Sequence, residues 1–128
     1  MGSAVAAAIA SRVDTDGLIL CEGFTSLLEG AMATGVPGWL ARSADGIWQT
    51  TDRLEAIKIP VLVVHSDSDS LFPLWMGDQL VKACGHAGEM YVVQGLDHND
   101  PIFQASEEYW YVVAEWVKRQ SRRKTGTE

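Results

Sequence analysis

The sequence predicts an α/β protein with a mostly parallel sheet of about three strands and flanking helices. Three apolar runs of strand length, at residues 18–21, 61–64 and 90–93, alternate with longer segments of helical pattern. Such alternation requires crossover connections, which produce parallel strands covered by helices. The run at 61–64 is apolar at every position, as expected for a strand that is buried on both faces.

The chain has 128 residues, 47% of them hydrophobic, which is enough for one modest core. We therefore treat residues 1–128 as one partial domain. A helical pattern precedes the first strand, and the strand that would ordinarily lead into it is not in the sequence. These features favour the C-terminal part of a doubly wound sheet.

The first helix is predicted to begin at Ser3, as its N-cap, and to end near Arg12. Val5, Ile9 and Val13 are its expected buried stripe, because their spacing places them on one helical face.

Residues 22–60 contain Gly30, Gly35, Pro37 and Gly38, which interrupt any long periodic pattern. We predict a lid-like connecting region of short helices over the end of the sheet. Trp39 and Trp48 lie here, and packing is the expected role of both, with the lining of an acyl or aromatic pocket as the alternative.

Two more helices are predicted, one between the second and third strands and one after the third. The first should begin at Pro73 and end at Gly85, with a buried face of Met76, Leu80, Val81 and Cys84. The second should begin at Pro101 and pack on the sheet through Phe103, Tyr109, Trp110, Val113, Trp116 and Val117. Residues 119–128 are expected to form a frayed, solvated tail.

The net charge of -7 argues against a nucleic-acid-binding surface. Cys21 and Cys84 lack metal-binding spacing and are expected to be small buried hydrophobes, which favours a reducing compartment such as the cytoplasm. No apolar run approaches the roughly 20 residues that span a bilayer, so we predict no transmembrane segment.

Two polar residues follow the second and third strands at matched positions. Asp69 lies five residues beyond Val64, and His98 lies five residues beyond Val93. In a parallel sheet both should lie just beyond the C-terminal ends of neighbouring strands, where open α/β folds place their sites. An Asp followed by a His is the order of the last two members of a nucleophile–acid–base triad.

Motifs around both residues resemble the α/β-hydrolase superfamily. The stretch His65-Ser66-Asp67-Ser68-Asp69, followed by Leu71-Phe72-Pro73, resembles the family's His-Gly-x-x-Asp turn, with Ser66 in place of glycine. Gly95-Leu96-Asp97-His98 resembles its Gly-x-x-His turn. Asn99-Asp100-Pro101 is similar to a short-lid subgroup that includes serine-peptidase-like, esterase and depalmitoylase-like members. The resemblance implies that Asp69, and not Asp67, is the acid and that His98 is the base.

The first residues resemble the end of the family's Gly-x-Ser-x-Gly nucleophile elbow, which leads into an alanine-rich helix. Gly2 would be the final glycine, and Met1 would follow the nucleophile and belong to the oxyanion hole. The resemblance thus implies a nucleophile one position before Met1, which could be Ser, Asp or Cys.

The implied function is hydrolysis of an ester, thioester or amide by the complete protein, with a small-molecule acyl substrate and no cofactor or metal. We expect the isolated chain to be inactive, because it supplies acid and base without the nucleophile. The alternative is a non-catalytic module that binds a partner or forms a homo-oligomer through an open sheet edge.

Two other chemical interpretations are weaker. Ser66, Ser68 and Ser70 are better explained by turn chemistry than as replacement nucleophiles. A hard-metal cluster lacks a second convergent histidine and any motif spacing; its members would be His65, Asp67, Asp69, Asp97 and Asp100. His65 is expected to be a core or turn histidine.

Overall fold

The computed structural model describes residues 1–104 and 107–125. Its helices and strands follow in the order α1 (Gly2–Ala10), β1 (Leu18–Cys21), α2 (Leu27–Ala33), α3 (Gly38–Ala41), α4 (Thr50–Ala56), β2 (Val61–Ser66), α5 (Leu74–Ala83), β3 (Gly88–Val93), α6 (Asp100–Phe103) and α7 (Glu107–Thr125). Short 3₁₀ turns cover Arg42–Ala44 and Gly85–Ala87.

The three strands form one parallel sheet in the order β1-β2-β3. Leu18 pairs with Val61, and Val61 in turn pairs with Gly88 on the other side. The predicted α/β class, with three parallel strands between helices, is therefore confirmed. Because all three strands run the same way, their C-terminal ends lie side by side at one edge of the sheet.

The central strand β2 is buried on both faces. Val61 and Val63 lie in a cluster with apolar residues of α1, α4 and α5. Leu62 and Val64 point the other way and pack with Tyr109 and Trp116 of α7. This alternation explains why every residue of 61–64 is apolar, as the sequence predicted for a covered parallel strand.

Helix α5 packs closely on β2 and β3 through a glycine. A Cβ at Gly77 would lie 3.0 Å from the Cβ and Cγ of His65 and 2.9 Å from the terminal methyl carbon of Met90. Glycine therefore permits the short distance between this helix and the sheet. Met76, Leu80 and Cys84 are buried beside it, which confirms most of the predicted face.

Helix α1 differs from its prediction in both its start and its buried face. It begins at Gly2 with Met1 as the cap, so Ser3 lies inside the helix and makes no side-chain cap. The predicted stripe of Val5, Ile9 and Val13 is 46%, 53% and 50% exposed, and the helix packs on the sheet through buried alanines, Ala4 and Ala7. Small side chains permit the close approach, so size and not period selected the buried face.

The C-terminal part forms two helices where the sequence predicted one. Tyr109 and Trp116 are buried and Val113 packs against their cluster, as expected. The predicted packing is wrong for Phe103, Trp110 and Val117, which are exposed.

Helix α7 continues to Thr125, and the frayed tail expected at 119–128 stays a prediction. Gln120 is buried and the Ser121 hydroxyl donates to the Val117 carbonyl, so this segment keeps contacts that favour a helix. Residues 126–128 lie outside the described residues.

Residues 22–60 form α2, α3, the first 3₁₀ turn and α4 before β2 begins. Trp39 does not pack as expected, since it is 77% exposed. Trp48 is partly covered, with its ring centroid 6.5 Å from that of Phe24. The lid-like role of this region stays a prediction.

None of the described helices is both long enough and apolar enough to cross a membrane.

Candidate active site

Polar side chains follow the ends of all three parallel strands at the same edge of the sheet. Asp69 follows β2 and His98 follows β3, as the sequence predicted, and Glu22 follows β1 directly. Ligand atoms of these three residues lie within 4.8 Å of one another. The parallel topology thus converts three distant positions in the chain into one polar cluster.

Asp69 is held firmly by the turn that follows β2. Its Oδ1 accepts hydrogen bonds from the backbone N–H groups of Leu71 and Phe72, at 2.8 and 2.7 Å. Its Oδ2 lies 2.8 Å from Nδ1 of His98, and the carboxyl side chain is fully buried. Both oxygens are therefore occupied, and Oδ2 is aimed at the imidazole.

His98 presents one side of its ring to Asp69 and the other towards solvent. Since Oδ2 of a carboxylate accepts, Nδ1 donates, which leaves Nε2 as the acceptor in the neutral ring. The His98 side chain is 18% exposed, and Nε2 makes no hydrogen bond within residues 1–104 and 107–125. The edge-on ring of Phe72, at a centroid distance of 5.1 Å, supports the imidazole from the side. Nε2 is thus available to an incoming hydroxyl.

The turns on either side of the pair are tied together by two other carboxylates. Asp67 accepts a hydrogen bond from the Gly95 N–H at 2.8 Å, and this bond lowers the pKa of its carboxyl. Asp97 accepts from the N–H and hydroxyl of Ser70 and from the N–H of His98, and these bonds lower the pKa of Asp97. Both carboxylates therefore bond to groups of the two loops, whereas Asp69 is the one that lies 2.8 Å from Nδ1 of His98.

The nearby serines are occupied by turn hydrogen bonds. Ser66 is buried and its hydroxyl donates to the Leu96 carbonyl. The Ser68 hydroxyl donates to Asp67, and the Ser70 hydroxyl donates to Asp97. These contacts support the interpretation that none of the three is a replacement nucleophile.

His65 lies near the end of β2, in the core, and its main contact is with the turn that follows this strand. It is fully buried and its Nε2 lies 2.7 Å from the Phe72 carbonyl oxygen, so Nε2 donates. Its Nδ1 has no hydrogen-bond partner in the described part of the chain. The proposed hard-metal set is not brought together as a whole, because Asp67 and Asp97 turn to backbone groups.

Glu22 is the member of the cluster that sequence reasoning missed. Its side chain is 2% exposed, and its Oε2 lies 3.8 Å from Nδ1 of His98. Burial raises the pKa of Glu22, opposed mainly by the hydrogen bond from the Asn99 N–H. The signal was available: Glu22 follows an apolar strand directly, by the same rule that identified Asp69 and His98. With Asp69 and His98 it is also the one set of described residues that could bind a metal ion.

Met1 lies at the start of α1 beside a small apolar groove. The groove has a volume of about 270 Å³ and is lined by Met1, Phe24, Leu27, Gly30, Ala31, Thr34 and Phe72. Because Phe72 also contacts the His98 ring, the groove adjoins the polar cluster. The oxyanion-hole role of Met1 stays a prediction.

No protein-family model matches the chain. An uncharacterized protein of Mycobacterium tuberculosis, present in two strains, is 34% identical over 103 residues. The match covers 79% of this chain and 36% of each mycobacterial protein, so the chain spans about a third of the length of these relatives.

Solved structures of esterases and a peptidase resemble the chain much more fully in fold than in sequence. The Pyrococcus horikoshii acylaminoacyl peptidase aligns over 93% of this chain and 22% of its own, with a TM-score of 0.70 and 16% identity. The esterase domain of a Rhodothermus marinus protein aligns over 92% of this chain and 57% of its own, with a TM-score of 0.72 and 14% identity.

A third structure, an esterase from Thermogutta terrifontis, covers 93% of this chain and 62% of its own, with a TM-score of 0.66 and 17% identity. Identities this low establish the fold and not the activity. The chain has the fold of the C-terminal part of an α/β-hydrolase domain.

Proposed function

We propose that this chain supplies the acid and base of a hydrolase that acts on an ester, thioester or amide. The observation that carries the proposal is the 2.8 Å contact between Oδ2 of the buried Asp69 and Nδ1 of His98. The hydrogen bonds to Oδ1 and the accessible Nε2 of His98 support it. The nucleophile would be supplied from outside this sequence, so the isolated chain is inactive.

The chemistry follows from the two ring nitrogens of His98. Nε2 takes the proton of the nucleophile as that group attacks the carbonyl carbon of the substrate, and it then gives the proton to the leaving group. The acyl group is then bound to the nucleophile. A water molecule, which gives a proton to Nε2, attacks this acyl group; the carboxylic acid product leaves and the proton returns to the nucleophile. Asp69 keeps the proton on Nδ1, so that Nε2 can accept, and stabilises the imidazolium that forms.

The substrate class fits a small molecule with an apolar group. The groove of about 270 Å³ beside Met1 and Phe72 is bordered mainly by apolar side chains. An acyl chain or aromatic group in this groove would lie beside the imidazole. The net charge of -7 disfavours a nucleic-acid substrate, because like charges repel.

A cytoplasmic location is part of the proposal. Cys21 and Cys84 are free thiols, and burial raises the pKa of Cys84 to about 11, which keeps it protonated and unreactive. Cys84 is buried and Cys21 half-buried, and free thiols are typical of reducing compartments.

A fluorophosphonate serine-hydrolase probe tests the proposal. We expect it to label a protein extended upstream through the expected nucleophile elbow and to leave the 128-residue chain unlabelled. The extended protein should also turn over a p-nitrophenyl ester, and a His98→Ala version should not. Labelling of the short chain would show that the nucleophile has been misplaced. Labelling of neither protein would contradict a serine nucleophile.

A second candidate function, self-association, is favoured by the exposed face of α1. Val5 and Ile9 are exposed apolar residues of this helix, and Val13, which follows its end, is exposed as well. Strand β1 has a partner on one side only within the described sheet. Unpaired sheet edges and apolar patches favour association with another chain.

Size-exclusion chromatography with light scattering tests this second function. We expect a dimer that Ile9→Glu converts to a monomer, because the charge would lie among these exposed apolar residues. Val117→Glu, an equally exposed apolar position on α7, is the matched control and should remain dimeric. A monomeric wild-type chain at all concentrations would contradict self-association.

A further inference from the structure

We propose that Glu22 is a positioning residue for His98, which fixes the turn that carries the imidazole and places a second carboxylate behind Nδ1. The inference rests on the proposed function, since it assigns a role relative to the Asp69–His98 pair. It adds a residue that follows β1 to a candidate site whose two predicted members follow β2 and β3.

The backbone at Glu22 is held in an unfavourable conformation. Its φ is +48°, and only Trp48 and Asn99 share a positive φ among the described residues other than glycine. The Glu22 N–H nevertheless donates to the Val64 carbonyl at 2.8 Å, which continues the β1–β2 ladder by one residue. Backbone strain of this kind persists where the surroundings enforce it and is concentrated at functional sites.

The Glu22 side chain connects this strained position to a second one. Its Oε2 accepts a hydrogen bond from the backbone N–H of Asn99, whose φ is +66°. Asn99 directly follows His98, so the bond restrains the turn on the far side of the imidazole. Of the three non-glycine residues with positive φ in the described part of the chain, two are thus bonded to each other at the candidate active site.

The buried carboxylate is not explained by stability. The Glu22 side chain is 2% exposed, and its Oε1 has no hydrogen-bond partner in the described residues. A buried carboxylate with one oxygen unpartnered disfavours the folded state. A role in positioning His98 would explain why a carboxylate is buried here, because Oε2 of Glu22 lies 3.8 Å from Nδ1 of His98.

The charged groups around Glu22 oppose and support its ionisation. Burial raises its pKa, and the negative charges of Asp69 and Asp100 raise it further, while the Asn99 N–H and His98 lower it. On the opposite side the Cys21 thiol and the Tyr109 hydroxyl contact each other, and burial raises the pKa of both. Among these groups, a protonated His98 is the one whose charge favours the ionised form of Glu22.

The raised pKa of Glu22 has a definite consequence for stability. A raised acid pKa means that the folded protein binds the proton more tightly than the unfolded chain does. Its stabilising contribution is present below the ordinary value near 4.5 and is lost as the pH rises through the raised value. The neutral variant Glu22→Gln should therefore have a higher Tm than wild type at pH 8, and the difference should vanish below about pH 4.5.

Two NMR readouts on the 128-residue chain test the positioning role directly. Asn99 amide exchange reports the bond from Glu22, and the ¹⁵N shifts of the His98 ring report which nitrogen carries the proton. We expect Glu22→Ala to speed Asn99 exchange roughly tenfold or more and to give His98 mixed tautomers. The conservative Glu22→Gln, whose amide oxygen can still accept, should restore slow exchange and the Nδ1–H tautomer.

The outcomes separate this inference from the proposed function. If Asp69→Asn leaves the His98 tautomer unchanged, the acid–base pair itself is wrong. If Asp69→Asn changes the tautomer but Glu22→Ala alters neither Asn99 exchange nor the His98 ring, then the role of Glu22 is overturned alone. If Glu22→Gln lowers the Tm at pH 8, the carboxylate is a stabilising structural group and the inference also fails.

Discussion

Asp69→Asn is expected to lower kcat of the upstream-extended, active protein by about 10⁴-fold. Asparagine can still accept from the N–H groups of Leu71 and Phe72 through its amide oxygen, so the turn should keep its shape. Its NH₂ group would then face Nδ1 of His98 and would require that nitrogen to accept. The proton moves to Nε2, which can no longer act as a base. The ring tautomer, measured by ¹⁵N NMR on the 128-residue chain, checks the cause, and ester turnover checks the effect.

Asp67→Asn is the matched control for this prediction. It is the same substitution in the same turn, at an exposed carboxylate that bonds to Gly95 and Ser68 rather than to an imidazole. We expect its turnover and its His98 tautomer to match wild type. A similar loss from both variants would mean that the turn, and not the Asp69–His98 contact, determines activity.

Trp116→Ala is expected to lower the free energy of unfolding by about 3–5 kcal/mol, which is enough to leave a small domain marginal. Trp116 is 3% exposed and packs between α7 and the sheet with Leu62 and Val64. Its removal would leave a cavity under the helix that covers one whole face of β2. Urea unfolding followed by circular dichroism measures the change.

Trp110→Ala is the control, because it makes the same substitution six residues earlier on the same helix. Trp110 is 53% exposed and has an edge-on contact with Tyr109, so we expect a loss of only about 1 kcal/mol. Equal losses of unfolding free energy from both variants would contradict the observation that Trp116 is buried and Trp110 is exposed.

Local pattern was sufficient for the strands and for two members of the site. The runs at 18–21, 61–64 and 90–93 are short, apolar and bounded by turn residues, and each contributes to an observed strand. Asp69 and His98 could be located because residues just beyond the C-terminal ends of neighbouring parallel strands lie at the same edge of the sheet. The helix faces were harder, because two faces of α1 were apolar and the sequence does not say which one meets the sheet.

The sequence by itself determined the fold class, the order of the strands and the positions of Asp69 and His98 beyond neighbouring strands, because these depend on local periodicity and on the direction of a parallel strand. The tertiary structure alone decided that alanines rather than Val5 and Ile9 face the sheet, since that choice depends on the space between packed elements. It also decided that Glu22 contacts Asn99 across 77 positions of the chain. That contact depends on the register of β1 against β2 and β3, which no single segment of the sequence encodes.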